Sequence, residues 1–240
     1  WLPQMRSSRL PWIEALKNTH EDEPDDHRNI ALRVDHTGQQ MDYGISLYQG
    51  MDVMPSLRAV VGAAPNLSWT NYRIRRAGFD AAINLGTSTL RAELAQTTVL
   101  SNHRDNGAVL HGQPADDVQL VLGMDRDLTE NLNLNVQWLG QWITGDYPPI
   151  NQQPAALQTL LATQRLVNQQ PEKNLYGMSW RLRQTLWQDT LAFELAGIAY
   201  GDGQGRLWRP RIQYQLDDHN SFTLGGDRFF GSKDAMYGVL

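Results

Sequence analysis

Strict two-residue alternation of apolar and polar side chains runs through most of the chain after Arg28 and constrains its fold more than any other feature. Successive side chains of a β-strand point to opposite faces, so this period predicts strands with one apolar and one polar face. The clearest segment is 131–143, where Leu132, Leu134 and Val136 alternate with Asn and Gln residues. The pattern therefore predicts an all-β fold.

The alternation divides the chain into predicted strands joined by connections of two kinds. The ten strands cover residues 29–36, 41–48, 68–85, 89–100, 116–126, 131–143, 175–186, 190–200, 206–216 and 221–230, and 234–240 is expected to begin an eleventh. Short connections lie at 37–40, 86–88, 127–130, 187–189 and 217–220. Between them lie longer loops at 49–66, 101–115 and 144–173, with shorter members of the same series at 201–205 and 231–233. Outer-membrane barrels sort their connections in this way, with short periplasmic turns and longer extracellular loops.

One long loop is expected to contain a helix. Within the 144–173 loop, apolar residues including Leu157, Leu160 and Leu161 recur at helical spacing and predict a short amphipathic helix over 154–167. Two interpretations stay open for it. Either the helix folds over or into the mouth of a barrel, or the segment is an ordinary external loop that contains one helix.

The types of charged residue on the polar side of the alternation favour a lumen over a water-exposed surface. That side carries seven Arg, eight acidic residues and no Lys, whereas soluble surfaces usually recruit Lys freely. Guanidinium groups suit bidentate pairing with carboxylates in a crowded polar interior. We expect these charges to form cross-strand ion pairs. Because they nearly balance, we expect no electrostatic field in the lumen that would select strongly for one sign of charge. The predicted lumen-lining residues are Arg33, Arg76, Asp80, Arg91, Glu93, Asp117, Asp125, Asn133, Asn135, Gln137, Arg181, Arg183, Glu194, Arg209, Arg211 and Asp227.

Aromatic residues in or beside the strands agree with a membrane setting. Interfacial girdles of transmembrane barrels are rich in Trp and Tyr near the strand ends. The candidates for such girdles are Tyr43, Trp69, Trp138, Trp142, Tyr176, Trp180, Trp187, Tyr200, Trp208 and Tyr214. Packing in a core is the competing explanation for some of them.

Composition excludes several classes of function. The chain has no Cys, which rules out a disulfide framework, a thiolate metal site and a cysteine nucleophile. Its net charge of −5 and the absence of a basic run argue against a nucleic-acid partner. No cofactor, no metal site and no enzymatic activity are expected.

Two alternatives to a membrane channel remain open. In the 101–115 loop, Ser101, His103, Asp105 and His111 could be drawn together into a hydrolytic or metal site of an outer-membrane hydrolase acting at the extracellular rim. The other alternative is a soluble β-rich binding domain whose apolar face points inward.

Three phrases of the sequence resemble a porin-like family of proteobacterial outer-membrane β-barrels. They are NIALRVDHTGQQMDYGISLYQGMDVMP from Asn29, VLGMDRDLTENLNLNVQWLGQW from Val121 and YQLDDHNSFTLGGDRFFGSKDAMYG from Tyr214. The resemblance covers most of the chain after Asn29. Members of this family tend to be encoded beside RND-type permeases and LolA-like periplasmic carriers, which implies the movement of lipids or other hydrophobic compounds. The resemblance brings no catalytic residues with it.

Together these features predict an antiparallel up-and-down transmembrane β-barrel in the cell outer membrane of a Gram-negative bacterium. Residues 1–27 are expected to form a loop or extension before the strands, and 28–240 the strands and extracellular loops. We expect the chain to be a C-terminal portion of a larger barrel, completed by further strands. The predicted function is a channel or transport barrel with a polar lumen. Its expected partners are outer-membrane lipid, lipopolysaccharide, and a periplasmic carrier or inner-membrane permease.

Overall fold

The computed structural model describes residues 21–22, 28–60, 66–100, 114–201 and 203–231. Their order along the chain is β1 (Glu21–Asp22), β2 (Ile30–Thr37), β3 (Met41–Met51), β4 (Ser56–Val60), β5 (Asn66–Thr70), β6 (Arg73–Leu85), β7 (Ser88–Leu100), β8 (Asp117–Thr129), β9 (Leu132–Ile143), a 3-10 helix (Ile150–Gln152), α1 (Ala155–Val167), β10 (Asn174–Leu186), β11 (Leu191–Tyr200), β12 (Gly205–Gln215), β13 (Ser221–Gly225) and β14 (Arg228–Phe230). The eleventh strand predicted at 234–240 lies outside these residues.

Most strands form one large antiparallel sheet of eleven strands, which confirms the predicted all-β fold. Neighbours in sequence are neighbours in space, in the order β2-β3-β6-β7-β8-β9-β10-β11-β12-β13, with β14 also paired to β12. Because β13 and β14 occupy the same side of β12, they are two halves of one interrupted strand. The described sheet is open, with β2 at one edge and β13 and β14 at the other.

The long strand predicted over 68–85 is divided in the structure. Its first part belongs to β5, which pairs with β4 and β1 in a separate sheet of three strands. The Asn71 side-chain amide donates to the Asp52 carbonyl, and the Asp52 N–H donates to the Tyr72 carbonyl, both at 2.8 Å. These bonds mark the point where the chain leaves the small sheet, and pairing of β6 with β3 begins at Arg73 opposite Met51.

The small sheet also changes two other predicted segments. The 49–66 loop is shorter than predicted, because β3 continues to Met51 and β4 follows at Ser56–Val60. The 1–27 extension contributes β1, which pairs in parallel with β5.

The predicted helix is present as α1, which begins after Pro154 and ends at Val167. Proline suits a helix start because its missing N–H costs no intrahelical hydrogen bond there. The chain then turns sharply at Gln169, which has a left-handed φ of 57°. No helix in the part of the chain that the structure describes is long and apolar enough to cross a membrane.

The connections are sorted by length between the two ends of the large sheet, as predicted. Tight turns join β2 to β3, β6 to β7, β8 to β9, β10 to β11 and β12 to β13 at the short-turn end. The opposite, long-loop end bears the small sheet and α1. The shorter connection between β11 and β12 also lies there.

Buried apolar residues are concentrated at the long-loop end. Ile74, Ile143 and Leu175 lie at the ends of their strands, and Leu57 and Leu161 come from β4 and α1. By strand alternation, Ile74, Ile143 and Leu175 belong to the polar side of the sheet. The polar face therefore becomes apolar where the loops pack on it.

Candidate functional site: the polar face of the sheet

The strand register brings all the predicted lumen residues to one face of the large sheet. Residues directly opposite each other across a pair of strands point to the same face. One cross-strand row connects Asp80 with Glu93. Two others are Asp125–Asn135–Arg181 and Asn133–Arg183–Glu194–Arg211. Alternation along each strand places the remaining predicted residues on this same side, which we call the polar face.

An ion pair on the polar face passes over a glycine. Arg33 on β2 donates two hydrogen bonds to the carboxylate of Asp80 on β6, at 2.8 and 3.1 Å, and also lies 2.7 Å from Asp35. Strand β3 lies between them, and its residue at this level is Gly44. A Cβ at Gly44 would overlap with Arg33 Nη2. The glycine thus leaves the space that lets the arginine reach across a strand.

A second bidentate pair joins the last strands of the sheet. Arg209 on β12 donates to both carboxylate oxygens of Asp227, at 2.7 and 2.8 Å. Asp227 lies at the interruption between β13 and β14, next to Gly226, whose N–H donates to the Pro210 carbonyl. The cross-strand ion pairs expected from the sequence are therefore present near both edges of the described sheet.

In the middle of the sheet, amides instead of arginines hold a carboxylate. Asp125 accepts hydrogen bonds from the side chains of Asn133 at 2.9 Å and Asn135 at 3.0 Å. The Asn133 amide also donates to Asp127 at 2.9 Å. The alternating amides of β9 thus form a polar ladder with β8.

At the long-loop end, α1 and the residues after it are bound to two other loops through side-chain amides. The Asn168 side chain accepts from the Leu57 N–H at 2.8 Å and donates to the Leu57 carbonyl at 3.1 Å. Gln164 donates to the same carbonyl at 2.8 Å. Gln170 makes the same two-point contact with the backbone of Ala115, at 2.9 and 2.8 Å. We call these contacts the amide latch.

The 144–173 loop is also stabilised by contacts between its own residues. The Arg165 guanidinium lies 3.7 Å from the centre of the Tyr147 ring and donates to the Pro148 carbonyl at 2.6 Å. The Tyr147 hydroxyl donates to the Gln170 carbonyl at 2.7 Å. Burial raises the pKa of Tyr147 above its ordinary value, because the phenolate form would lose hydration. The hydroxyl is therefore a stable donor at neutral pH.

A cavity of about 210 Å³ separates the polar face from the residues that follow α1. Its floor includes Arg76, Thr97 and Asp117, and its roof includes Val167 and Asn168. The 144–173 loop therefore lies over the polar face at its long-loop end. The loop thus folds over the sheet, and its place in the mouth of a barrel stays a prediction.

The opposite face of the large sheet, which we call the apolar face, is exposed. Its large residues with more than a third of their surface exposed include Ile30, Leu32, Val34, Ile45, Leu47, Phe79, Leu90, Leu94, Leu122, Met178, Leu182, Phe193, Ile212, Phe222 and Leu224. Monomeric soluble proteins seldom expose contiguous apolar patches of such extent. The apolar side chains thus cover one side of the described sheet without packing against another layer of it.

Aromatic side chains mark both ends of the apolar face. Trp138, Trp142 and Tyr176 form a cluster with ring centres 5.9 to 6.1 Å apart near the long-loop end. At the short-turn end, His36 and Tyr43 stack at 4.9 Å.

Two of the predicted girdle residues lie elsewhere. Tyr200 is opposite Gly177 on the polar face, where the glycine leaves room for its ring, and Trp69 belongs to the small sheet.

Sequence reasoning missed the residues that hold the loops onto the polar face. Some of them interrupt the two-residue period: alternation predicts polar side chains at Ile74, Ile143 and Leu175, which are apolar. This interruption is the sequence signal that could have identified them. The amide latch had no such signal, because Gln and Asn are frequent throughout the chain. The histidine loop predicted as a hydrolytic or metal site lies outside the described residues at 101–113. Among the residues described, no three His, Asp or Glu side chains could hold a metal ion.

Comparison with known proteins gives no family for this chain, since neither a protein-family model nor a curated protein matches it. The resemblance to porin-like barrels stays a prediction.

Proposed function

We propose that the chain forms part of an outer-membrane β-barrel that acts as a channel or transport barrel, with the polar face lining the lumen. The observation that supports this proposal most directly is the apolar face, which is exposed and has no other layer of the described sheet packed against it. A sheet of this kind in water would expose Leu, Ile, Val and Phe side chains over its whole width, at a cost of roughly 25 cal/mol per Å². In lipid the same face is stabilised.

The dimensions of the strands support the same proposal. Strands β6, β7, β8 and β10 each contain 13 residues, and a tilted strand needs about 9 to 11 residues to cross a bilayer. Aromatic clusters near both ends of the apolar face suit the two membrane interfaces. The polar face then points to the interior of a barrel.

A barrel also needs closure, because unpaired strand edges are not tolerated in lipid. We propose that further strands of the same barrel join β13 and β14 to β2. The described sheet has ten strand positions, with β13 and β14 sharing the last, so its two edge strands run antiparallel to each other. Each added strand reverses direction, and the closing strands must therefore be even in number.

The loop over the polar face narrows the proposed lumen at the long-loop end. Such a loop restricts passage there, while the small sheet and α1 present a surface for recognising cargo. We propose lipids or other hydrophobic compounds as the class of cargo, with a periplasmic carrier or an inner-membrane permease as the supplying partner. This part rests on the resemblance described above.

Two neighbouring residues provide a test of which face meets lipid. Leu122 lies on the exposed apolar face, whereas Val121 lines a depression on the polar face. In the full-length protein, Leu122→Arg would place a charge in lipid at a cost of about 2 to 4 kcal/mol, whereas the matched control Val121→Arg would place it in the lumen. Outer-membrane fractionation and heat-modifiable migration on a denaturing gel measure the result.

We expect the unsubstituted protein to fractionate with the outer membrane and to change its mobility on boiling. Leu122→Arg should reduce the folded fraction, and Val121→Arg should leave it nearly unchanged. A soluble protein without a mobility shift, or equal effects of the two substitutions, would contradict the proposal.

A further inference from the structure

The cavity beneath the 144–173 loop contains a buried carboxylate without a cationic partner in the described structure. Asp117 is only 4% exposed, and its Oδ2 accepts hydrogen bonds from the amides of Gln119 and Gln141, both at 2.7 Å. No salt bridge between described residues includes Asp117. A buried charge is costly unless it is paired, and two neutral amides leave the negative charge in place. The carboxylate is therefore suited to a cation that enters the cavity.

A cation with unused donors lies on the other side of Thr97. Arg76 donates its Nε to Thr97 Oγ1 at 3.1 Å. Its two terminal nitrogens have no acceptor among the residues that the structure describes. Arg76 and Asp117 occupy the strands on either side of Thr97 in one cross-strand row, so their backbones lie about 10 Å apart, two strand spacings. Both residues line the cavity, and their charges are opposite.

The rest of the cavity wall is part polar, with Asp52, Ser56 and several amide side chains, and part apolar. Val53, Met54, Ile74, Val99 and Val167 line it together with the charged pair. Its volume of about 210 Å³ equals about seven times the ~30 Å³ that a water molecule occupies in the liquid. A small organic molecule with one apolar group has this size.

We propose that this cavity binds a small zwitterion with an apolar side chain, of the size of a free aliphatic amino acid. Arg76 binds the carboxylate, Asp117 binds the ammonium group, and the apolar part of the wall contacts the side chain. Planar guanidinium groups recognise carboxylates through two parallel hydrogen bonds, which the free end of Arg76 can supply. As a cargo site at the entrance of the lumen, this assignment rests on the proposed function.

Three related compounds allow the contributions of the two ligand charges to binding to be measured separately. Valine carries both charges, valinamide only the ammonium group, and isovalerate only the carboxylate. We would titrate each into the full-length protein in detergent micelles near neutral pH and measure affinity by calorimetry. The variants are Asp117→Asn and Arg76→Gln, and the matched controls on the polar face outside the cavity are Asp125→Asn and Arg181→Gln.

We expect Asp117→Asn to weaken valine and valinamide binding about tenfold or more and to leave isovalerate binding unchanged, since a charge-assisted bond contributes about 1.5 to 3 kcal/mol. Arg76→Gln should weaken valine and isovalerate binding and spare valinamide. The controls should bind all three compounds like the unsubstituted protein. Retained isovalerate binding also shows that the Asp117→Asn cavity is folded.

Two results would overturn the assignment: no heat of valine binding to the folded protein at millimolar concentrations, or equal losses for all three compounds in both cavity variants. Fractionation distinguishes this failure from failure of the proposed function. A protein in the outer membrane that does not bind valine contradicts only the cavity assignment, whereas a soluble protein contradicts the channel whatever it binds.

Discussion

Several glycines of this sheet leave room for a large side chain on the neighbouring strand. Gly197 faces the Trp180 ring, to which an added Cβ would approach within 2.8 Å, and Gly44 leaves room for Arg33. The same arrangement thus occurs on both faces of the sheet. An aromatic ring over a glycine also covers backbone that a strand would otherwise expose.

At the residue scale, Gly197→Ala should therefore destabilise the protein although alanine is the better strand residue. The Cβ would displace Trp180, which contacts Trp208 with ring centres 5.7 Å apart, so we expect a loss of about 1 to 3 kcal/mol. Denaturant unfolding measures the stability, and near-ultraviolet circular dichroism measures the change in tryptophan packing.

The control is Gly123→Ala, because a Cβ there would make only ordinary van der Waals contacts, the nearest with Gln137 Cγ at 3.5 Å. This variant should be neutral or slightly more stable, since glycine in a strand interior costs about 0.5 to 1 kcal/mol. Equal destabilisation by both substitutions would show that the Trp180 contact is not the cause.

At the scale of elements, the 144–173 loop is held by the amide latch and by the packing of α1 on β4. Each of Asn168 and Gln170 satisfies both the N–H and the carbonyl of one residue in another loop, as a strand neighbour would. Buried backbone groups need such partners. The latch therefore connects the residues after α1 to Leu57 on β4 and to Ala115 just before β8.

Removing the latch should release the loop without unfolding the sheet. We expect Asn168→Ala combined with Gln170→Ala to increase the rate of proteolysis within 144–173 at least tenfold, because each lost hydrogen bond contributes about 0.5 to 1.5 kcal/mol. Limited proteolysis followed by mass spectrometry locates the cleavage, and heat-modifiable migration reports on the sheet.

Gln152→Ala provides the matched control, as an exposed glutamine in the same loop without a described side-chain hydrogen bond. It should be cleaved like the unsubstituted protein. Unchanged cleavage of the double variant would mean that the remaining Gln164 bond and the packing of α1 on β4 are enough to hold the loop.

At the scale of the whole molecule, the two edges of the sheet have the same chemistry. The edge strands β2 and β13 are exposed along their full lengths, with Val34 at 61% and Leu224 at 74%. Both present apolar residues on one face and polar residues on the other. Any strand that pairs with either edge must carry the same alternation, because a shift of one residue would place charges on the apolar face.

Residues 1–240 contain no Cys, so introduced cysteine pairs can test how the two edges of the sheet are joined. Val34 and Leu224 each lie three residues from the short-turn end of their strands. In the full-length protein, we expect no intramolecular disulfide in the variant with Val34→Cys and Leu224→Cys, because the proposed further strands would separate the two edges and a disulfide needs Cα atoms within about 7 Å. Migration under non-reducing conditions measures it.

The pair Val34→Cys and Ile45→Cys is the positive control, since these residues are directly opposite each other on β2 and β3. An intramolecular bond between positions 34 and 224 would mean that the ten strand positions close on themselves. An intermolecular bond would mean that a second copy of the chain closes the barrel.

The sequence by itself determined the strands, the two faces and the sorting of the connections. All three follow from alternation and turn residues, which are local properties of the chain. The predicted lumen residues share one face of the sheet because a period of two leaves only two choices. The helix over Ala155–Val167 was predictable for the same reason, from apolar spacing within one segment.

Only the tertiary structure decided how distant segments meet. The division of the predicted 68–85 strand depends on β4 and β1 as partners for β5. The amide latch joins Asn168 to Leu57, which are 111 residues apart. An amide side chain can bind any backbone group within reach, so neither residue type nor spacing specifies its partner. Alternation fixes which way a side chain points, whereas its partner depends on where the rest of the chain packs.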